Sequence, residues 1–279
     1  MFFFLLVMSL SACSEQTGSG LEQARAPTLT PIWTVDGIFI SPESAIFDES
    51  RSVIYVSNVN GYTTNGIGYL SALSVDGEIT EEKWMVGLNA PTGMAIDGDT
   101  LYVADFDRVA EIDIPTRIIR RFYEAPDDSP GVNDLTLSPA GDLFVSASAV
   151  SAIYKLQDGK LIKWLQSDEL KYANGLYVDG ASLFVAGFYL RRIDLHSKVI
   201  EKFGEDSALE DLESIEVAPA GGFFVTVIGD KPIMYVSAAG EVSSVLERST
   251  FSADVEVITP LSLLIVPSGG DSISAFSIN

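Results

Sequence analysis

The chain reads as an all-β protein: a six-bladed β-propeller closed by an N-terminal strand that completes the last blade. Three observations predict this. One phrase of alternating apolar residues recurs six times at the spacing of four-stranded blades. Turn residues cut each copy into hairpins, and the last copy is a strand short while a spare strand precedes the first.

The elements follow in chain order. Residues 1–12 (MFFFLLVMSLSA) form an apolar run of signal-peptide length, shorter than the ~20 residues that a membrane-spanning helix requires. The run ends in Leu10-Ser11-Ala12-Cys13, which resembles the lipobox of bacterial lipoproteins, with Cys13 as the acylated first residue of the mature protein. The positively charged region usual at the start of such a leader is missing ahead of Phe2. Ser14 follows the cysteine in place of an Asp-like retention signal. The expected address is therefore the outer membrane or cell surface, facing periplasm or exterior, with membrane contact only through the lipid. Residues 13–30 are polar and contain Gly, Ser and Pro, reading as the lipidated cysteine and a flexible tether ahead of a propeller at 31–279. Cys13 is the only cysteine, so packing rather than disulfides must hold the fold.

The repeated phrase is a polar residue, an alternating apolar stretch, a turn and a second apolar run, usually ending in Val. Its copies begin at Glu43, Thr92, Asn133, Asn174, Glu213 and Asp254, which are 49, 41, 41, 39 and 41 positions apart. Each copy supplies two inner strands rich in Val, Ile, Leu, Phe and Tyr, joined by turns such as Asp97-Gly98 and Asp179-Gly180. Third strands are expected at 68–75, 109–114, 152–156, 190–195, 233–236 and 273–278. More polar fourth strands follow at 82–86, 118–123, 161–165, 199–203 and 242–246. The sixth blade lacks its fourth strand, and residues 31–35 (PIWTV) are free to supply it, closing the ring without an unpaired gap. Trp33, Trp84 and Trp164 fall in the outer-strand class, where packing between blades is the expected role.

Composition narrows the function. With 39 acidic against 17 basic residues, a formal charge of -22 repels phosphate backbones and excludes nucleic acid as a partner. The one histidine, His196, falls in the turn after a third strand, so neither a Ser/His/Asp triad nor a His/Cys zinc centre can be assembled. A monomer acting on a small molecule is the expected form.

In a propeller the innermost strands line the central channel, so the six leading residues should meet at one mouth of it. Three carboxylates and two carboxamides gathered there call for a cation, and all-oxygen donors suit a hard divalent ion. Glu43, Asn174, Glu213 and Asp254 are the candidate ligands. Ca2+ is the first choice, with Mg2+, Mn2+ or Zn2+ as alternatives. Residues of these types at loop-to-strand junctions also hydrogen-bond their own turns, and that plain role stays open for each. Thr92, Asn133 and Asn60 are candidate substrate contacts. Asn60 lies in the loop NVNGYTTNG after the second strand of blade one, which can cover the mouth or serve as a turn.

Over nearly the whole chain after the tether, the residues resemble the regucalcin/gluconolactonase-like propellers, and in particular a bacterial lipoprotein branch of them. The likeness is carried by Pro42-Glu43-Ser44, Asn89-Ala90-Pro91-Thr92-Gly93, Asn133-Asp134, Asn174-Gly175-Leu176, Glu213-Ser214-Ile215-Glu216 and Ala253-Asp254. It implies one divalent metal on Glu43, Asn174 and Glu213. It also implies Asn133 against substrate or metal-bound water, and Glu213 as general base in lactone hydrolysis. Asp134 or Asp254 can substitute as base. Two departures stand out: Glu213 replaces the family's Asp, and Gly131 replaces an Arg common in sugar-lactone hydrolases. The expectation is a divalent-metal-dependent hydrolase of a small lactone or ester at the cell envelope. The alternative is a non-catalytic propeller that binds protein or glycan, its metal purely structural.

Overall fold

A computed structural model describes residues 25–126, 131–204, 206–247 and 252–279; Cys13 and the leader lie outside them. Six four-stranded antiparallel sheets form the ring. The first strand, β1 (Leu29–Asp36), belongs to the last blade. Blade one is β2 (Pro42–Asp48), β3 (Val53–Asn58), β4 (Gly68–Leu73) and β5 (Ile79–Leu88). Blade two is β6 (Pro91–Asp97), β7 (Thr100–Asp105), β8 (Arg108–Asp113) and β9 (Ile118–Glu124). Blade three is β10 (Val132–Leu137), β11 (Leu143–Ala147), β12 (Ala152–Gln157) and β13 (Lys160–Gln166). Blade four is β14 (Leu176–Asp179), β15 (Ser182–Val185), β16 (Arg191–Asp194) and β17 (Ile200–Lys202). Blade five is β18 (Leu212–Val217), β19 (Phe223–Val227), β20 (Ile233–Val236) and β21 (Val242–Leu246). Blade six is β22 (Glu256–Ile258), β23 (Leu263–Pro267) and β24 (Ser272–Ile278), with β1 as its outer strand.

β1 pairs antiparallel with β24 from Leu29 opposite Ile278 to Asp36 opposite Ser272, broken by an irregularity between Pro31 and Trp33. Thr28 and Asn279 exchange backbone hydrogen bonds at 3.0 and 2.9 Å, so the closing strand begins ahead of the Pro31 at which the sequence suggested it. Proline cannot donate to a ladder, and an edge position beside a bulge is where a strand tolerates it.

The core is divided among the seams. Six apolar clusters each join two adjacent blades, because alternate side chains of a twisted sheet face opposite neighbours. At the closing seam Ile54 and Leu73 of blade one meet Ile265 and Ile273 of blade six. Trp33 bridges the same seam: its indole N–H donates to the carbonyl of Val75 at 3.0 Å, and its ring lies so close to Gly77 that no larger residue fits there. Trp84 stacks at 4.4 Å on Tyr55 and lies beneath Arg117 of blade two. Trp164 packs on Phe144 and carries Lys198 of blade four over its ring.

The innermost strands also touch all round the channel, and hydrogen bonds join neighbours at several seams. Blade two reaches blade three through Thr92 Oγ1, which donates to the carbonyl of Asn133. Blade four reaches blade five through Gly175 N to the carbonyl of Glu213 at 3.0 Å, and blade six reaches blade one through Asp254 N to the carbonyl of Glu43 at 2.8 Å. Glycine serves the donor blades at two of the three joints. A Cβ on Gly93 would lie 2.6 Å from Asp134 Cα, and one on Gly175 would lie 2.6 Å from Ser214 Cα.

Candidate functional site

The register of four inner strands shifts at the ring positions: between Pro42 and Ala45, Pro91 and Met94, Val132 and Leu135, and Leu212 and Ser214. A bulge adds a residue to one strand and re-aims its side chain. In blades one, two, three and five the shift takes the leading residue of the phrase out of the sheet's alternation at the channel mouth, while Asn174 and Asp254 stand just ahead of β14 and β22, whose pairings are regular. Hydroxyl groups on the second strand hold the bulge in place. Ser44 N donates to Ser57 Oγ at 2.9 Å and Asp134 N to Ser146 Oγ at 2.8 Å, while Ser214 Oγ shares a proton with Thr226 Oγ1 at 2.8 Å.

Glu43, Thr92, Asn174 and Glu213 are all buried, as is Asp134, while Asn133 and Asp254 are half-buried. Asn174 Nδ2 donates to Glu213 Oε2 at 2.9 Å, Ser44 Oγ to Asp254 Oδ2 at 3.0 Å, and Leu176 N to Asp134 Oδ2 at 2.6 Å. Two oxygens are left over: Glu43 Oε2 and Asn133 Oδ1 are buried without a hydrogen-bond partner. Such orphans are rare in folded proteins, and each calls for an explanation.

Burial and mutual repulsion push the acids up together. The Glu43 carboxyl is held well above its ordinary range by burial, then by the charges of Asp254, Glu213 and Asp134. Glu213 is raised to about 7 by burial and Asp254. Asp254 is raised to about 7 by burial, against the opposing bonds from Ser44 and Val255. Asp134 is likewise raised well above its ordinary range by burial and Asp254, although the amides of Leu176 and Leu135 pull the other way.

Two acids missed by the sequence reading continue the series below the mouth. A cavity of about 170 Å³ runs down the channel between Asp134, Asp254, Glu216 and Glu256, walled by Met94, Leu135 and Tyr177 among others. Glu256 accepts from Phe47 N at 3.0 Å and is raised to about 8 by burial and Asp254; Glu216 is raised well above its ordinary range by burial and Glu256. A carboxylate on an innermost strand was the available signal, present in SIEV and VEVI.

Among the described residues, no three Asp, Glu, His or Cys side chains converge closely enough to hold an ion by themselves. The set that remains is mixed: two carboxylates, Glu43 and Glu213, beside two carboxamides, Asn133 and Asn174. Asp254 stands between the two levels: it lines the deeper cavity, and after burial its charge is the foremost one raising Glu43 and Glu213. Asn60 uses its side chain inside its own loop, donating to the carbonyl of Ile67 at 3.0 Å. Tyr62 of the same loop stands within electrostatic range of the acids: although the side chain is largely exposed, its phenol is raised by partial burial and then by the charges of Glu43 and Glu213. A Cβ on Gly131, at φ +123°, would lie 3.0 Å from the methyl of Ala149, so a side chain at this position is both strained and crowded. His196 is exposed in the β16–β17 turn, on the face opposite the mouth.

No protein-family model and no curated protein matches the sequence. Solved structures share the fold at low identity. A gluconolactonase from Xanthomonas campestris matches with TM-score 0.70 and 12% identity over 91% of this chain and 95% of its own. A putative gluconolactonase solved as a structural-genomics target matches with TM-score 0.69 and 15% identity over 91% and 92%. A virginiamycin B lyase from Staphylococcus aureus matches with TM-score 0.65 and 13% identity over 88% and 98%. A histidine-to-alanine form of that lyase, solved with quinupristin, is described as catalytically inactive.

Proposed function

We propose that the protein is a divalent-metal-dependent hydrolase of a small lactone or ester, related to the gluconolactonase-like propellers. The observation that carries the reading is the orphaned Glu43 Oε2 and Asn133 Oδ1 at a channel mouth crowded with carboxylates, whose raised acids Glu43 and Glu213 make no ion pair among the described residues. This donor set fits a hard cation: Glu43, Glu213, Asn133 and Asn174 would hold it through oxygen, Asn174 after rotating its amide. When bound, such an ion supplies polarisation of an ester carbonyl or acidification of a water.

The chain's own residues supply the rest. Glu213, near neutrality, can take a proton at the pH where the protein works, and Asn174 fixes its carboxyl by the bond to Oε2. Asp134 lies behind Gly93 and is locked by Leu176 N, which suits orientation better than proton transfer. Thr92 uses its hydroxyl on the carbonyl of Asn133 and so sets the position of the amide beside the orphaned carboxyl. Lyase chemistry that depends on a histidine is disfavoured, since His196 lies on the far face.

The test is a panel of lactones and esters with Ca2+, Mg2+, Mn2+ or Zn2+ after chelation. Turnover should require an added ion, and Glu43→Gln and Glu213→Gln should each lower kcat/KM by about 10²–10⁴-fold. No turnover above the Glu43→Gln background, with an ion-dependent melting temperature retained, would favour the binding reading in which the ion only braces the ring; Gly131 supports that reading. Export as a lipoprotein through Cys13, which lies outside the described residues, belongs to the same proposal. Loss of fatty-acid labelling in Cys13→Ala would support it.

A further inference from the structure

The two faces of the ring expose different chemistry. One consists of the loops from second to third strands and from each blade to the next, which surround the mouth. The other consists of hairpin turns such as Asp97-Gly98. Among the described residues, the large apolar side chains most open to solvent in the mouth-face loops are Ile38, Ile40, Tyr62, Ile67, Tyr172 and Ile228; Val199 and Leu261 represent the other face. Exposed apolar groups scattered over a surface are ordinary, but a collection around one concave opening marks a binding site.

Aromatic rings give this rim its structure. The Tyr62 ring lies 6.2 Å from that of Phe106; further round, Tyr172 lies 6.4 Å from Phe188, itself 4.7 Å from Tyr189. Phe106 and Tyr172 have φ of +67° and +56°, and they are the two aromatic residues with positive φ among the described residues. Bulky side chains avoid that region, at about 1–3 kcal/mol, and persist there only where surrounding structure holds them. For Phe106 the neighbouring blade does so: its carbonyl accepts from Gly131 N at 2.8 Å and Val132 N at 3.0 Å. Phe106 is therefore presented on strained backbone that the next blade fixes in place.

Among the described residues, the cations beside these aromatic groups are engaged. Arg108 Nε bonds Asp105 at 2.9 Å, Arg191 Nε bonds Glu169 at 2.9 Å, and Lys171 sits over the rings of Tyr172 and Phe188 at 4.7 and 4.4 Å. Behind the rim stand Glu43 and Glu213, so an anionic ligand meets like charge, while the rim itself offers mainly apolar and aromatic surface and the acceptors for a hydroxyl lie deeper, at the mouth.

We infer that the rim seats an uncharged lactone or ester through an alkyl or aryl substituent laid on Tyr62 and Phe106, with its ester group over the acidic mouth. The identity of the ester rests on the hydrolase reading; the apolar seat does not.

The purified protein would be titrated calorimetrically in Ca2+ with a γ-lactone bearing a long alkyl chain, with the unsubstituted γ-lactone and with glucono-δ-lactone, and turnover followed in parallel. The alkyl lactone should bind at one site at least about tenfold more tightly than either other probe. Tyr62→Ala should weaken it about fivefold or more, while Tyr62→Phe retains it. Phe106→Gly accepts the positive φ and should likewise weaken binding with no loss of melting temperature. Equal binding of all three probes, tighter binding of the sugar lactone, no binding of the alkyl lactone, or indifference to both Tyr62→Ala and Phe106→Gly overturns the inference. Binding of the alkyl lactone with no turnover of any probe removes the hydrolase reading and leaves the seat standing. Turnover led by the sugar lactone does the reverse.

Discussion

At the scale of single residues, the channel is a column of carboxyl groups that hold protons in the fold more firmly than they would in the open chain. Glu213 and Asp254 are raised to about 7, Glu256 to about 8, and Glu43, Asp134 and Glu216 well above their ordinary range, in each case first by burial. For an acid whose folded pKa exceeds its unfolded one, the stabilisation is complete below the unfolded value and is lost as pH rises through the folded value. The ion-free protein should therefore melt at lower temperature at about pH 8 than at about pH 5, and a divalent ion should restore the difference at the higher pH. Glu256→Gln keeps an acceptor for Phe47 N and removes the charge, so calorimetry should find it about 2–4 °C more stable at about pH 8 and unchanged at about pH 5. The six ring residues were legible in the sequence because they head six phrases in register. Glu216 and Glu256 were not, because each looks like the polar half of an alternating strand. Nothing in the letters marks the bulge at Leu212–Ser214 that shifts the phase. Phe106 was hidden for a related reason, since the positive φ that presents it comes from a neighbouring blade's hydrogen bonds.

At the scale of elements, the sequence located all six blades and missed mainly strand ends. β5 runs over Ile79–Leu88 where 82–86 was expected, and β17 covers only Ile200–Lys202 where 199–203 was expected. The first is lengthened by register shifts along its pairing with β4, which polar outer residues such as Thr80 and Lys83 do not announce. The second is short because β16 and β17 pair over only three positions. Joints between inner strands are the tighter constraint. Gly175→Ala places a methyl within 2.8 Å of the Ile215 amide nitrogen, where backbone must yield, and should destabilise by about 1–3 kcal/mol in urea unfolding. Gly98→Asn, in an open turn at φ +58°, should change stability by no more than about 0.5 kcal/mol. The two glycines share a residue type and differ in what surrounds them, which sequence alone does not distinguish.

At the scale of the molecule, stability depends on closing the circle. The β1–β24 ladder, the Trp33 bridge to Val75 and the Asp254–Glu43 backbone bond all cross or complete one seam. A protein lacking residues 25–36 should lose its cooperative melting transition, and a synthetic peptide spanning β1 should restore it; an unchanged transition would mean that the seam is held from the channel side alone. That closure was readable in advance because counting strands left one missing and one spare. The same arrangement imposes a schedule on folding. Leu29–Asp36 leaves the ribosome long before its mate Ser272–Ile278, with the other five blades translated in between. For the whole interval the early segment is an unmated hydrogen-bonding edge, open to strangers of its own kind. Pro31 and the kink beside it break the regularity such partners would need, so the residue that looks least suited to a strand is also the chaperone of its wait.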